Sequence, residues 1–177
     1  YNCITVPPLF IKKAKELLLN ETVKISTVIG YPYGWSSIES KVAEIILAMI
    51  DGADELEIVI NITALKNNDW QYLAKELNTF MSIIRKQQRY INIIIETEYL
   101  DKEDITRCCD LYGVAGIDCL SLSTGTQLRS VSFDTVRLVR NQLAEPVDIK
   151  INSSNIDEAS IDLYLQAGAT RIGLLVK

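Results

Sequence analysis

A chain of 177 residues, 48% hydrophobic and 23% charged, has the size of one domain spanning residues 1–177, with enough apolar material for a substantial core. Its net charge of −5 and lack of a Lys/Arg stripe leave no electrostatic footprint for nucleic acid. The apolar run at 91–95 is far too short to cross a bilayer and no signal-like segment opens the chain, so neither a membrane nor a nucleic-acid partner is expected.

The four cysteines show neither zinc-type spacing nor a dense disulfide framework, and they read as buried free thiols of a cytoplasmic protein. Histidine, the commonest general base and metal ligand, is absent; no metal and no other cofactor is expected.

In chain order, 2–6 reads as a short strand stopped by Pro7-Pro8. A helix follows over 9–19, with Phe10, Ala14, Leu17 and Leu18 on one stripe. Residues 24–29 form a second strand ended by Gly30-Tyr31-Pro32-Tyr33-Gly34. Ser36-Ser37-Ile38-Glu39 then has capping-box spacing and opens a helix to about Asp51, closed by Gly52. The third strand is 56–61. A helix from about Asp69 carries Trp70, Leu73, Ala74, Leu77, Phe80, Met81 and Ile84 at a 3.6-residue period. The fourth strand is 91–96, and Asp101 caps a helix ending near Gly113 to Gly116.

The fifth strand, Asp118 to Ser123, alternates Leu120 and Leu122 with Cys119, Ser121 and Ser123 and breaks at Ser123-Thr124-Gly125. After it come a helix over 132–143, a strand over 147–151, a helix over 155–167 stopped by Gly168, and a strand over 171–176. Glycine recurs between helix and strand at Gly52, Gly116 and Gly168, a faint internal repeat.

Alternating strands and helices imply a parallel α/β sheet with right-handed crossovers. No Gly-x-Gly-x-x-Gly follows any strand, so a dinucleotide fold has no specific support. The expected fold is a (β/α)8 TIM barrel whose first strand and last helix are missing from this span. Strand edges at 2–6 and 171–176 would then need cover, which favours flanking residues or a partner subunit, and a homo-oligomer, a dimer, is expected. Alternation turns Glu57, Asn61, Asn92, Glu96, Ser121, Ser123, Asp148, Lys150 and Asn152 toward the barrel interior, several of them near the C-terminal strand ends where such barrels place chemistry.

The run Thr27-Val28-Ile29-Gly30-Tyr31-Pro32-Tyr33-Gly34 followed by Glu39, Lys41 and Glu44 resembles class I deoxyribose-phosphate aldolase. So do Asp51 to Glu55, Val59 to Lys66, Ile94-Ile95-Glu96-Thr97, Ser123-Thr124-Gly125, Val136-Arg137-Leu138 with Arg140, and Gly168 to Gly173. The resemblance spans nearly the whole chain. It implies an aldolase-like barrel of carbohydrate metabolism, a lyase that cleaves 2-deoxyribose 5-phosphate through a Schiff base on a lysine. A second lysine lowers the first one's pKa, and an aspartate assists proton transfer.

By that resemblance the Schiff-base position falls on Ser121, the second lysine on Lys150 and the aspartate on Glu57. A lysine of the fifth barrel strand falls on Asn92 and a cysteine near the start on Thr5. Asn92, Ser123, Thr124 and Thr5 are the implied substrate-binding positions. The phosphate loops fall on Ser153-Ser154, where the family has Gly-Gly, and on Gly173, after which Leu174-Leu175-Val176 replaces a small polar stretch. Serine forms no imine and branched apolar side chains offer a phosphate nothing. The leading expectation is therefore a non-catalytic aldolase-like barrel, a pseudoenzyme that binds a small carbonyl or sugar ligand or serves as an assembly subunit. The alternative is an active lyase or aldolase, on 2-deoxyribose 5-phosphate or an unphosphorylated carbonyl compound, using Lys150 and Glu57. Lys150 is expected to form a salt bridge with Glu57 or Asp148, and each of these residues also has a purely structural reading as interior packing.

Overall fold

Ser37, Asn61, Asp69, Asp101, Ser132 and Asp157 each stand one residue before a helix, and each side chain accepts a hydrogen bond from the backbone N–H three residues on. A short polar side chain there satisfies one of the N–H groups that a helix start leaves without an internal partner. These caps set the helix starts, in a computed structural model that describes residues 2–126, 130–153 and 157–174.

The strands are β1 (Cys3–Thr5), β2 (Lys24–Ile29), β3 (Glu55–Val59), β4 (Tyr90–Ile94), β5 (Cys119–Ser121), β6 (Asp148–Ser153) and β7 (Arg171–Leu174). The helices are α1 (Ile11–Leu17), α2 (Ile38–Asp51), α3 (Ile62–Lys66), α4 (Trp70–Ile84), α5 (Lys102–Val114), α6 (Phe133–Gln142) and α7 (Glu158–Ala167). Strands neighbour one another in chain order, β1 to β7. The pairs β1–β2, β2–β3, β5–β6 and β6–β7 are parallel, as strand–helix alternation requires.

Residues divide into two compact units, Tyr1–Asn92 and Ile93–Lys177. In the first, Ile25, Ile29, Leu56 and Ile58 of the strands are buried together with Ile45 of α2 and Leu73, Leu77, Phe80 and Ile84 of α4. All five residues of β3 are buried, including Glu55 and Glu57, so this strand is covered on both faces. In the second unit, Leu120, Ile149 and Ile151 are buried, as are Ile105 of α5 and Val136 and Val139 of α6.

Three expectations are corrected. Between 9 and 19 a 3-10 turn over Pro8–Phe10 precedes α1, and the buried residues are Ile11 and Ala14, while Phe10 and Leu17 are exposed. The turn shifts the helical register by which the stripe was counted. Strand β3 ends at Val59, not at 61, and Asn61 is the N-cap of α3, accepting from Ala64 N at 2.9 Å. The five residues of α3 are too few to show a helical period.

Gly34 (φ +66°) brings the loop after β2 against the end of β3, because a Cβ at this position would overlap the Ile60 carbonyl. Above it Trp35 is exposed and stacked on Tyr33, with ring centroids 4.8 Å apart. Cys108, Cys109 and Cys119 are buried, and burial pushes the Cys108 thiol up and the Cys109 thiol up to about 12, leaving both as unreactive thiols at neutral pH. No helix among the described residues is long and apolar enough to cross a membrane.

Candidate functional site

Glu57 is the middle residue of β3 and is buried. Alternation brings the side chains of neighbouring strands onto the same face, and three of them donate to its carboxylate. Thr5 Oγ1 and Ser26 Oγ both donate to Oε1 at 2.8 Å, and Asn92 Nδ2 donates to Oε2 at 3.2 Å. Both oxygens are thus held in a fixed orientation by neutral donors, which offsets the cost of burying the group. Three candidates from the sequence, Thr5, Glu57 and Asn92, form one cluster in the first unit. Ser26 joins them and was not foreseen, although the period of β2, with Ser26 two residues before Val28 and its partner Glu57, carried the signal.

In the second unit the parallel register sets residues in layers. Ser121 is the register partner of Lys150, and Lys150 of Arg171; one layer further toward the C-terminal ends, Asn152 is the partner of Gly173. Ser121 is fully buried and Lys150 nearly so. Asp148, two residues before Lys150, accepts from Thr170 Oγ1 at 2.8 Å. Ser153 ends β6 and is buried; Ser154 lies outside the described residues, as do Leu175 and Val176.

The turn after β5 is tied down by Glu96, two residues beyond the end of β4. Thr124 N donates to Glu96 Oε1 at 2.7 Å, Gly125 N donates to Ser123 Oγ at 2.8 Å, and Gly125 takes a positive φ of 83°. Thr124 Oγ1 and Thr126 Oγ1 share a hydrogen bond of 2.8 Å. Ser123 and Thr124 are therefore placed together with Glu96, whose Oε2 is buried and makes no hydrogen bond among the described residues.

Burial holds the Glu96 carboxyl above its ordinary range, opposed by the Thr124 and Ser123 hydrogen bonds and reinforced by the nearby charge of Glu98. A raised carboxyl binds its proton more tightly in the native state than in the unfolded one. Its contribution to stability is full below the ordinary carboxylate range and is lost as pH rises through the raised value. Glu96→Gln keeps an oxygen for Thr124 N but never ionises. Thermal unfolding should therefore show the variant more stable than wild type at neutral pH, with the gap closing near about pH 4. A gap that stays constant across that range would contradict this.

Strands that follow one another in chain order, each joined to the next through a helix, with buried polar side chains along them, define a fold of the (β/α) barrel class. The deoxyribose-phosphate aldolase of Thermococcus kodakarensis is 35% identical over 176 residues, which are 98% of this chain and 78% of the relative. That of Clostridioides difficile is 31% identical over 170 residues, 96% of this chain and 76% of the relative. The solved structure of QR15, an aldolase, is 30% identical and superposes with a TM-score of 0.89 over 98% of this chain and 76% of its own. No protein-family model matches the chain. The chain belongs to the deoxyribose-phosphate aldolase family.

Proposed function

We propose that this chain is a member of the deoxyribose-phosphate aldolase family that has lost the covalent step and retains a pocket for a small carbonyl or sugar ligand. The observation that carries the reading is Ser121. It is buried, it is the register partner of Lys150, and by the resemblance it stands where the family places its imine-forming lysine. An alcohol adds to a carbonyl only reversibly and gives no iminium, so carbon–carbon cleavage there loses its electron sink. The Thr5–Ser26–Glu57–Asn92 cluster supports retained polar positions in the first unit, because a carboxylate held by three donors keeps its place whether or not it moves protons. The exposed Leu47 and Ile50 of α2 support a role as an assembly subunit, for which a homodimer is the proposed form.

Cleavage of 2-deoxyribose 5-phosphate, followed by the acetaldehyde released, is expected to remain at the background of a Lys150→Met control. Ser121→Lys is expected to recover little, since Asn92, Ser153 and Ser154 also depart from the family's pattern. Turnover by wild type that disappears in the Lys150→Met variant would overturn the reading. One observation favours a second reading, an active lyase on an unphosphorylated carbonyl compound. Lys150 keeps an amine on β6 beside Ser121.

A further inference from the structure

Between the C-terminal halves of α2 and α4, within the first unit, runs a groove of about 440 Å³ that takes no part in the site described above. Its walls are aliphatic. Ile46, Met49 and Ile50 come from α2, at the three- and four-residue spacings that share one helix face, and Ile83 comes from α4. Ile46 and Ile50 are exposed while Met49 and Ile83 are half-buried, so this apolar surface stays in contact with water. The volume falls in the range of small-molecule sites, about 300–1,000 Å³. Leu47, the other exposed apolar residue of this helix end, does not line the groove.

The rim is cationic. After α4 the 3-10 turn Arg85–Gln87 ends at Gln88, whose φ of +53° reverses the chain. Gln88 N donates to Arg85 O at 3.1 Å and Arg89 N to Ile84 O at 3.4 Å, so carbonyls at this helix end are already supplied. The reversal sets Lys86, Gln87 and Arg89 along the edge of the groove. Among the described residues no carboxylate lines it. Asp51, at the end of α2, pairs with Lys12 at 3.1 Å. Asp54, which Arg89 Nη1 approaches at 3.6 Å, is also held by Lys15 at 3.1 Å and by Ile25 N at 3.0 Å. Lys86 makes no ion pair among the described residues.

An aliphatic wall that ends in an uncompensated ammonium suits one kind of ligand. An apolar chain gives up its water against the isoleucines, and the methionine adapts to its shape. An anionic head meets Lys86 at the rim, where both charges keep part of their hydration and the desolvation cost stays low. A neutral chain gains the burial alone, and a cationic head meets the same ammonium as a repulsion. We propose that this groove is a binding site for an amphiphilic carboxylate, a medium-length aliphatic chain with a single anionic head. The site is separate from the Ser121–Lys150 layer and stands whether or not that layer breaks any bond.

The test is a calorimetric titration of the full chain with octanoate, 1-octanol and octylammonium, with sedimentation velocity run with and without octanoate. Octanoate is expected to saturate one site about threefold to fivefold more tightly than octanol, with octylammonium the weakest. Hexanoate, two methylenes shorter, is expected to bind about fivefold to fifteenfold more weakly than octanoate. Lys86→Glu is expected to reverse the order of octanoate and octylammonium. Ile50→Asp is expected to weaken octanoate and octanol together. Both side chains are exposed, and each variant serves if the other does not fold. No saturable binding to folded wild type, equal affinity for the three probes, or an order unchanged in Lys86→Glu would each overturn the proposal. Self-association that octanoate disperses would assign the groove to a second copy of the chain and overturn it as well.

Discussion

Replacing Lys41 by alanine is expected to cost about 3–5 kcal/mol, a large share of the stability of a typical domain, because it strands a buried carboxylate. Lys41 on α2 is fully buried and its ammonium lies 2.7 Å from Glu76 Oε1 of α4, a residue 2% exposed. It also donates to the Val59 carbonyl at the end of β3 at 2.8 Å. Burial pulls the Lys41 pKa down and pushes the Glu76 pKa up, and in each case the partner's opposite charge works against burial. The pair is therefore held together by mutual need. Removing one member removes the compensation and leaves the desolvation cost of the other.

Replacing both at once, Lys41→Met with Glu76→Leu, is expected to be far milder, since neither charge then remains to be solvated. Urea unfolding of the single and double variants checks this. A Lys41→Ala variant within about 1 kcal/mol of wild type would contradict it.

The same pair bears on the candidate site. Gly30 gives way to Lys41: a Cβ there would lie 2.7 Å from Lys41 Cε, and Gly30 N donates to Glu44 Oε2 at 2.8 Å. The lysine thus joins the end of β2, the end of β3 and α4. Glu57 sits two residues before Val59 on that strand. The anchor of β3 and the donors around Glu57 are successive supports along one element.

Much of this was legible in the chain. The limits of β2 follow from Lys24 to Ile29 with Gly30 behind it, and Asp69, Asp101 and Ser132 were recognisable as helix starts from their side-chain chemistry. Gly52 and Gly168 mark helix ends because a positive φ there costs glycine nothing. What stayed hidden depends on partners distant in sequence. Nothing local distinguishes Lys41 and Glu76 from solvated helix charges; only packing α2 against α4 and β3 buries them. Likewise Glu96 reads as one more interior carboxylate until Thr124 N is seen on it. The phosphate-loop positions were read from a resemblance, and of these Ser153 and Gly173 are described here while Ser154 is not.

On the proposed reading Ser121 is the deciding position, and its expected consequence is all-or-none. An amine and an aldehyde condense to an imine that borohydride reduces irreversibly to a secondary amine, whereas a serine hydroxyl gives only a hemiacetal that falls apart on reduction of the free aldehyde. The most direct measurement is the intact mass of the protein after incubation with 2-deoxyribose 5-phosphate or acetaldehyde and borohydride, with Lys150→Met as the control for surface lysines. Wild type and Lys150→Met should each gain the same mass over their untreated forms, with no stoichiometric adduct inside the fold. One reduced adduct per chain, present in wild type, absent from Lys150→Met and located on Lys150 by peptide mass, would contradict the non-catalytic reading and make Lys150 the imine-forming residue of an active lyase.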